Sequence, residues 1–263
     1  MKISASNIGW KKEDDEFMYK WMNSNRIEGL EIAPTRIFPE NPYDRSKEAK
    51  DWADNLKEEW NLNISSMQSI WYGRKENIFA SKDERETLID YTKRAIDFAK
   101  AVNCHNLVFG CPRNRNMSVN ADHRIAEEFF SVLGEYAYSC GTVLAMEANP
   151  PIYNTNFCNT TDEAIRLIKK VNEPGFLLNL DVGTIVENGE DTDILNGCVR
   201  LINHVHISEP GLEMIKEREV HKNLAKILKD NRYEGFVSLE IKTQDDVINI
   251  CNLIEYITSI FVS

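Results

Sequence analysis

The sequence lacks any apolar run approaching the roughly 20 residues that a membrane-spanning helix needs. Its first ten residues, MKISASNIGW, have no apolar centre of the kind found in secretory signal peptides. We therefore expect a soluble protein located in the cytoplasm, with no membrane as a partner.

Cysteine is sparse, and no two cysteines form a CxxC pair. This absence argues against a zinc knuckle and against a thioredoxin-type redox site. We predict that all six cysteines are reduced thiols: Cys104, Cys111, Cys140, Cys158, Cys198 and Cys251.

Basic residues are also in deficit, with 31 lysines and arginines against 42 aspartates and glutamates and a net charge of −11. A chain of this charge repels phosphate backbones, so we expect no nucleic-acid partner. There is no GxGxxG motif after the first apolar run, which removes the usual signal of a dinucleotide site. There is no Gly/Ser linker or low-complexity tract either, and we expect residues 1–263 to form one domain.

What the sequence does contain is an alternation of short apolar runs with amphipathic segments. This order is typical of parallel βα units, and eight such units over 263 residues predict an α/β protein with a single (β/α)8 TIM barrel. An open, doubly wound sheet is the alternative. The eight runs are KISASN, GLEIAP, NISSMQ, NLVFG, TVLAMEAN, FLLNLD, HVHIS and FVSLEI.

The segments between the runs carry helix signals and differ in length. Apolar residues recur at helical spacing over 84–103, and Ser81 with Glu84, like Thr160 with Glu163, has the spacing of a capping box. The connections that follow apolar runs are long, whereas those that precede them are short. In a barrel the long connections lie at the carboxyl ends of the strands, where active sites are built.

The last four apolar runs each carry one polar, chemically active residue near the end. Side chains alternate across a strand, so these residues face the barrel interior while their aliphatic neighbours face the helices. Inward-facing Asn179, Ser238 and His204 are candidates to hydrogen-bond the four. The four residues are Glu147, Asp181, His206 and Glu240.

Three carboxylates that converge from neighbouring strands beside an imidazole repel one another unless a cation lies between them. A divalent metal is the simplest means of keeping all three carboxylates ionised. Mostly oxygen ligands favour Mn²⁺, Mg²⁺ or Co²⁺, and Zn²⁺ stays possible because one imidazole discriminates poorly.

In the pieces AMEANP, NLDVG, HVHISEP and YEGFVSLEI the sequence resembles the xylose isomerase-like TIM-barrel superfamily of sugar phosphate isomerases and epimerases. The resemblance implies that Glu147, Asp181, His206 and Glu240 are the metal ligands. It also implies that a carbohydrate substrate chelates the metal, and that Glu147 and Glu240 move a proton through an enediolate. The implied activity is that of a metal-dependent sugar isomerase or epimerase.

Other reactions stay open at this point. A dehydratase acting on a keto-polyol would use the same chemistry, and a sugar-binding barrel without catalysis would keep the same pocket. Thr184 stands where many members of the family that the sequence resembles have a histidine, which argues against free-ketose 3-epimerase activity. An AP-endonuclease-like hydrolase needs histidines where this chain has Gln68 and Gly110, and we place it behind isomerisation.

Four further residues are candidates for substrate binding. Gln68 follows the third strand, and Arg115 is placed to grip a phosphate or carboxylate after the fourth. His221 either points towards the metal or begins the next helix, and Lys242 either meets a substrate oxygen or faces solvent. A homo-oligomer is possible for such a barrel.

Overall fold

The computed structural model describes residues 1–262. Eight strands form a closed barrel in which β1 pairs with β8, so the alternative of an open sheet is excluded. All pairings are parallel and follow chain order, which confirms the predicted (β/α)8 barrel. The strands are β1 Lys2–Ser6, β2 Gly29–Ile32, β3 Asn63–Met67, β4 Leu107–Phe109, β5 Leu144–Glu147, β6 Phe176–Asp181, β7 Ile202–Ile207 and β8 Phe236–Leu239.

Helices surround the barrel and follow the strands in turn. They are α1 Asp15–Ser24, α2 Pro34–Ile37, α3 Ser46–Trp60, α4 Lys82–Ala101, α5 Arg124–Ser139, α6 Thr161–Val171, α7 Val182–Asn188, α8 Glu219–Asp230 and α9 Val247–Phe261. Within residues 1–262, no helix combines the length and the apolar character that crossing a membrane demands.

The helix starts follow the predicted caps. The Ser81 hydroxyl accepts the backbone N–H of Glu84 ahead of α4. Thr160 and Glu163 form a complete capping box at the start of α6, with each side chain bonding the other residue's backbone N–H. These local bonds satisfy N–H groups that a helix leaves unpaired in its first turn.

The apolar core lies between the barrel and the helices. On α4, Leu88, Ala95, Phe98 and Ala99 are fully buried at helical spacing against the strands. The barrel interior is instead polar in many places, because the inward faces of the strands carry serine, asparagine, histidine and glutamate.

Connections at the two ends of the barrel differ as predicted. Residues 68–81, 110–123 and 148–160 follow strands, whereas α3 and β3 are separated only by residues 61–62. The carboxyl ends of the strands therefore carry most of the irregular chain.

Candidate active site

The four residues at the ends of β5 to β8 converge on one point. Glu147, Asp181, His206 and Glu240 each offer one ligand atom, and these atoms all lie within 4.8 Å of one another. Register explains the convergence, since Asp181 is the direct neighbour of His206 across the β6–β7 pair. The structure thus brings together all four metal ligands that the sequence predicts.

The His206 ring lies between the two glutamates. Its Nδ1 atom is 3.0 Å from Oε1 of Glu147 and 3.0 Å from Oε2 of Glu240. Asn179, on the neighbouring strand, places its Nδ2 atom 3.2 Å from the same Nδ1. The Nδ1 atom of His206 therefore faces the centre of the cluster.

Asp181 is the most tightly held of the three carboxylates. It ends β6 and caps α7, where its Oδ2 accepts the backbone N–H of Thr184 at 2.7 Å. The Thr184 hydroxyl lies 2.8 Å from this oxygen and also 2.8 Å from the carbonyl of Ala148. The Ser208 hydroxyl donates to Oδ1. Thr184 thus supports a predicted ligand.

Glu147 is fixed by two amides and by a glycine. Asn179 Nδ2 donates to its Oε1 at 2.7 Å, and Asn149 Nδ2 donates to its Oε2 at 3.1 Å. A Cβ atom at Gly110 would lie only 2.8 Å from Oε2, so the space for this carboxylate depends on the missing side chain. The predicted role of Asn179 as a support for the ligands agrees with these contacts.

Burial and charge shift the acidity of the cluster. Burial, reinforced by the charge of Glu147, raises the pKa of Asp181 to about 6. Burial also raises the pKa of Glu240 to about 7, although His206 opposes the shift. Burial would lower the pKa of His206, but the charges of Glu240 and Glu31 hold it well above its usual range.

This donor set fits a divalent cation. Three carboxylate oxygens converge beside one imidazole nitrogen in a buried place, where the mutual repulsion of the carboxylates is costly without a cation. The chemistry of the ligands suits Mg²⁺, Mn²⁺, Co²⁺ or Zn²⁺. The cluster is therefore a possible metal-binding site.

A cavity of about 220 Å³ opens over the cluster at the carboxyl ends of the strands. It is lined by twelve of the described residues, among which the charged ones are three carboxylates and none is a lysine or arginine. They are Gln68, Ser69, Val108, Gly110, Cys111, Pro112, Glu147, Asn149, Tyr153, Asp181, Leu212 and Glu240.

A larger cleft, of about 350 Å³, lies between α5 and α6 on the outside of the barrel. Its Lys170 already pairs with Glu127 at 3.1 Å. The candidate active site is thus identified by its converging ligand atoms and not by the volume of its cavity.

Of the four predicted substrate-binding residues, the structure brings only Gln68 to the cavity. Arg115 is fully buried behind it, where its guanidinium donates to the carbonyl of Glu147 at 2.9 Å and to Oδ1 of Asn149 at 2.8 Å. These contacts occupy the forked donors that were predicted to grip a substrate, and they hold the end of β5 in place.

His221 and Lys242 also lie outside the cavity lining. His221 is in the first turn of α8, with its Nδ1 atom 2.9 Å from the hydroxyl of Tyr256, and burial lowers its pKa to about 4. Lys242 forms an exposed ion pair with Glu213. Of the alternatives predicted for these residues, His221 begins the next helix and Lys242 faces solvent. Each side chain has a partner away from the cluster.

Glu31 was missed by the sequence reasoning. It lies on β2, is fully buried, and places Oε2 2.8 Å from Nε2 of His206. Burial would raise its pKa, but His206 and His204 hold it well below the usual range. The sequence does contain a signal for Glu31, which is a carboxylate inside an apolar run. It stands between Leu30 and Ile32 just as Glu240 stands between Leu239 and Ile241.

Fold and site together define a class: a (β/α)8 barrel with a carboxylate and imidazole cluster at the carboxyl ends of its last four strands. The chain belongs to the xylose isomerase-like TIM barrel family, whose model matches residues 24–255. No curated protein matches the sequence closely enough to count as a relative.

Solved structures of similar fold cover the whole chain at low sequence identity. The 3-keto-D-glucoside 4-epimerase of E. coli is 17% identical with a TM-score of 0.77, covering 98% of this chain and 99% of its own. A D-psicose 3-epimerase, solved in the presence of D-fructose, is 13% identical with a TM-score of 0.80 and full coverage of both chains. A probable 3-DHS dehydratase from Bacillus anthracis is 16% identical with a TM-score of 0.68, covering 100% of this chain and 99% of its own. At these identities the likeness establishes the fold alone.

Proposed function

We propose that this chain is a divalent-metal-dependent isomerase or epimerase of a sugar or sugar derivative, acting by proton transfer next to a carbonyl group. The observation that carries the proposal is the convergence of four ligand atoms, within 4.8 Å of one another, beneath an open cavity. Two of the similar structures are sugar epimerases by name, which supports a carbohydrate as the substrate.

Glu147, Asp181, His206 and Glu240 would hold the ion in this proposal. When bound, a divalent ion polarises a carbonyl and an adjacent hydroxyl oxygen, and so acidifies the neighbouring C–H bond. Mn²⁺, Mg²⁺ and Co²⁺ are favoured because three of the four ligands are carboxylates.

The three carboxylates differ in their hydrogen-bond partners, and we assign them different roles on this basis. Asp181 is held by Thr184 and Ser208 and is suited to a fixed ligand. Glu240 has no side-chain hydrogen bond within residues 1–262 beyond its contact with His206, and its pKa is raised to about 7. A carboxylate that lines the cavity and has no other supporting hydrogen bond is free to accept a substrate proton, and we assign proton removal to Glu240. Glu147, which also lines the cavity, would return the proton on the other side of the substrate.

The lining argues for an uncharged substrate. Its ionisable groups are acidic apart from Cys111 and Tyr153, and the buried Arg115 is already bonded to protein groups. A phosphate would thus meet no cationic side chain among the described lining residues. The acidic lining of the cavity and the net charge of −11 both repel a nucleic-acid backbone. They therefore favour isomerisation over phosphodiester hydrolysis.

A dehydratase is the second candidate, because one of the similar structures is a probable dehydratase and the same base would start either reaction. Incubating the metal-loaded protein with a panel of ketoses and keto-polyols in D₂O separates the two. Deuterium incorporation at carbon without loss of mass supports isomerisation or epimerisation, whereas loss of water supports the lyase.

The control for this experiment is Glu240→Gln at the same metal concentration, with its bound metal measured, because Glu240 is also a proposed ligand. If the wild-type protein binds metal and sugar but exchanges no deuterium and forms no product, the proposal gives way to a non-catalytic sugar-binding barrel.

We also propose that the protein works in the cytoplasm, since its six thiols are all free, as in a reducing compartment. Its oligomeric state stays a prediction.

A further inference from the structure

A fully buried carboxylate on β2 contacts one of the four candidate metal ligands, which lies on β7. Glu31 lies on β2, and its Oε2 atom is 2.8 Å from Nε2 of His206. The other nitrogen of this ring, Nδ1, lies 3.0 Å from both Glu147 and Glu240. The imidazole therefore connects Glu31 to the centre of the cluster.

We propose that Glu31 is a positioning residue for this site, which holds the His206 ring so that Nδ1 is bare and faces the other three ligands. In a neutral imidazole one nitrogen carries the hydrogen and the other offers a lone pair. An acceptor at Nε2 places the hydrogen there and directs the lone pair of Nδ1 to the metal. The inference rests on the proposed function, because it requires the metal site.

Glu31 is itself held by neighbouring strands. Gln68 donates to its Oε1 from Nε2 at 3.0 Å, and the same Nε2 lies 2.5 Å from the hydroxyl of Ser6. Register sets Glu31 beside Ser6 on β1 and Ser66 on β3. The first three strands thus fix the carboxylate that orients a ligand on β7.

A second cation between Glu31, His204 and His206 is the competing interpretation, since their ligand atoms also cluster. The 2.8 Å between Glu31 and His206 is the length of a direct hydrogen bond. This group has a single carboxylate, which both histidines already contact, whereas the first cluster holds three carboxylates whose mutual repulsion calls for a cation. His204 places Nε2 3.2 Å from the same oxygen but makes no hydrogen bond with it. We expect one ion per chain.

The test compares Glu31→Gln with Ser238→Ala by calorimetric titration with Mn²⁺. Ser238 is a matched control: it is fully buried in the same barrel interior and, contrary to its predicted role as a support of the ligands, its hydroxyl has no hydrogen-bond partner within residues 1–262. Glu31→Gln should weaken Mn²⁺ binding about ten- to one-hundredfold, the usual loss when the partner of a ligating histidine is removed. Ser238→Ala should bind Mn²⁺ as the wild type does.

A second measurement separates positioning from a merely structural role. Long-range ¹H–¹⁵N spectra of the five histidines in the Mg²⁺-loaded protein should show His206 with its hydrogen on Nε2 in the wild type and in Ser238→Ala. Glu31→Gln should lose this pattern, because an amide both donates and accepts.

The outcomes are distinguishable. If the wild type binds no Mn²⁺, the proposed metal site fails, and the role of Glu31 fails with it. If the wild type binds one ion and Glu31→Gln binds equally well with an unchanged His206 spectrum, only the role of Glu31 is overturned. Two ions per wild-type chain also overturn it. Should Glu31→Gln not fold, Glu31→Asp carries the test: its shorter side chain withdraws the acceptor from Nε2, and wild-type affinity there would contradict the proposal.

Discussion

Replacing Gly110 by alanine should displace the carboxylate of Glu147 without disturbing the backbone. The added Cβ would lie 2.8 Å from Oε2 of Glu147, which has to move by about 0.6 Å to reach the ordinary contact distance of 3.4 Å. Gly110 is not among the glycines with positive φ, so alanine is compatible with the backbone. Metal ligands tolerate errors of only about 0.2 Å in distance.

We therefore expect Gly110→Ala to weaken Mn²⁺ binding at least about tenfold, which is about 1.4 kcal/mol of binding free energy. Titration calorimetry measures the loss, and thermal unfolding in the absence of metal checks the fold. Gly9→Ala is the control: Gly9 is buried and likewise lacks a positive φ, and its added Cβ would be at an ordinary 3.4 Å from Cγ1 of Ile241. Wild-type affinity in a folded Gly110→Ala protein would refute the reasoning that Glu147 binds the ion from its position in the structure.

Three further predictions concern Glu240, Thr184 and the pH dependence of metal binding. Glu240→Gln should abolish turnover and leave the fold intact, as measured by deuterium exchange and circular dichroism, because a proton acceptor and a charged metal ligand are lost; near wild-type exchange would remove Glu240 as the base. Thr184→Val should lower the free energy of unfolding by about 1–3 kcal/mol in urea titrations, since the carbonyl of Ala148 loses its hydroxyl partner; unchanged stability would show that this bond contributes nothing. Affinity for Mn²⁺ should be at least about tenfold weaker at pH 5.5 than at pH 7.5, because protons on Glu240, with a pKa of about 7, and Asp181, with a pKa of about 6, compete with the ion. Equal affinities at the two pH values would show that neither carboxyl releases a proton to the ion in this range, and would refute the raised pKa values of the cluster.

The fold was predictable because its signals are local. Short apolar runs ending in polar residues mark each strand, and the capping residues Ser81 and Thr160 mark helix starts that the structure confirms. Side-chain alternation was enough to assign Glu147, Asp181, His206 and Glu240 to the barrel interior. Their convergence then follows from parallel strands in sequential order.

The directions of loop side chains were harder to predict because loops do not have a periodicity. Arg115 follows the correct strand, yet its side chain turns inward to bond the end of β5. His221 and Lys242 likewise find partners on neighbouring elements, Tyr256 and Glu213. The direction of a side chain in an irregular segment depends on contacts that are distant in sequence.

The sequence by itself determined the strands, their inward faces and the four residues that meet at the carboxyl ends of β5 to β8, because these depend on local spacing alone. Only the tertiary structure decided that Glu31 on β2 reaches His206 on β7, 175 residues further along the chain. The reason is geometric: closing the barrel through the β1–β8 pair makes the inward faces of distant strands meet across a shared interior.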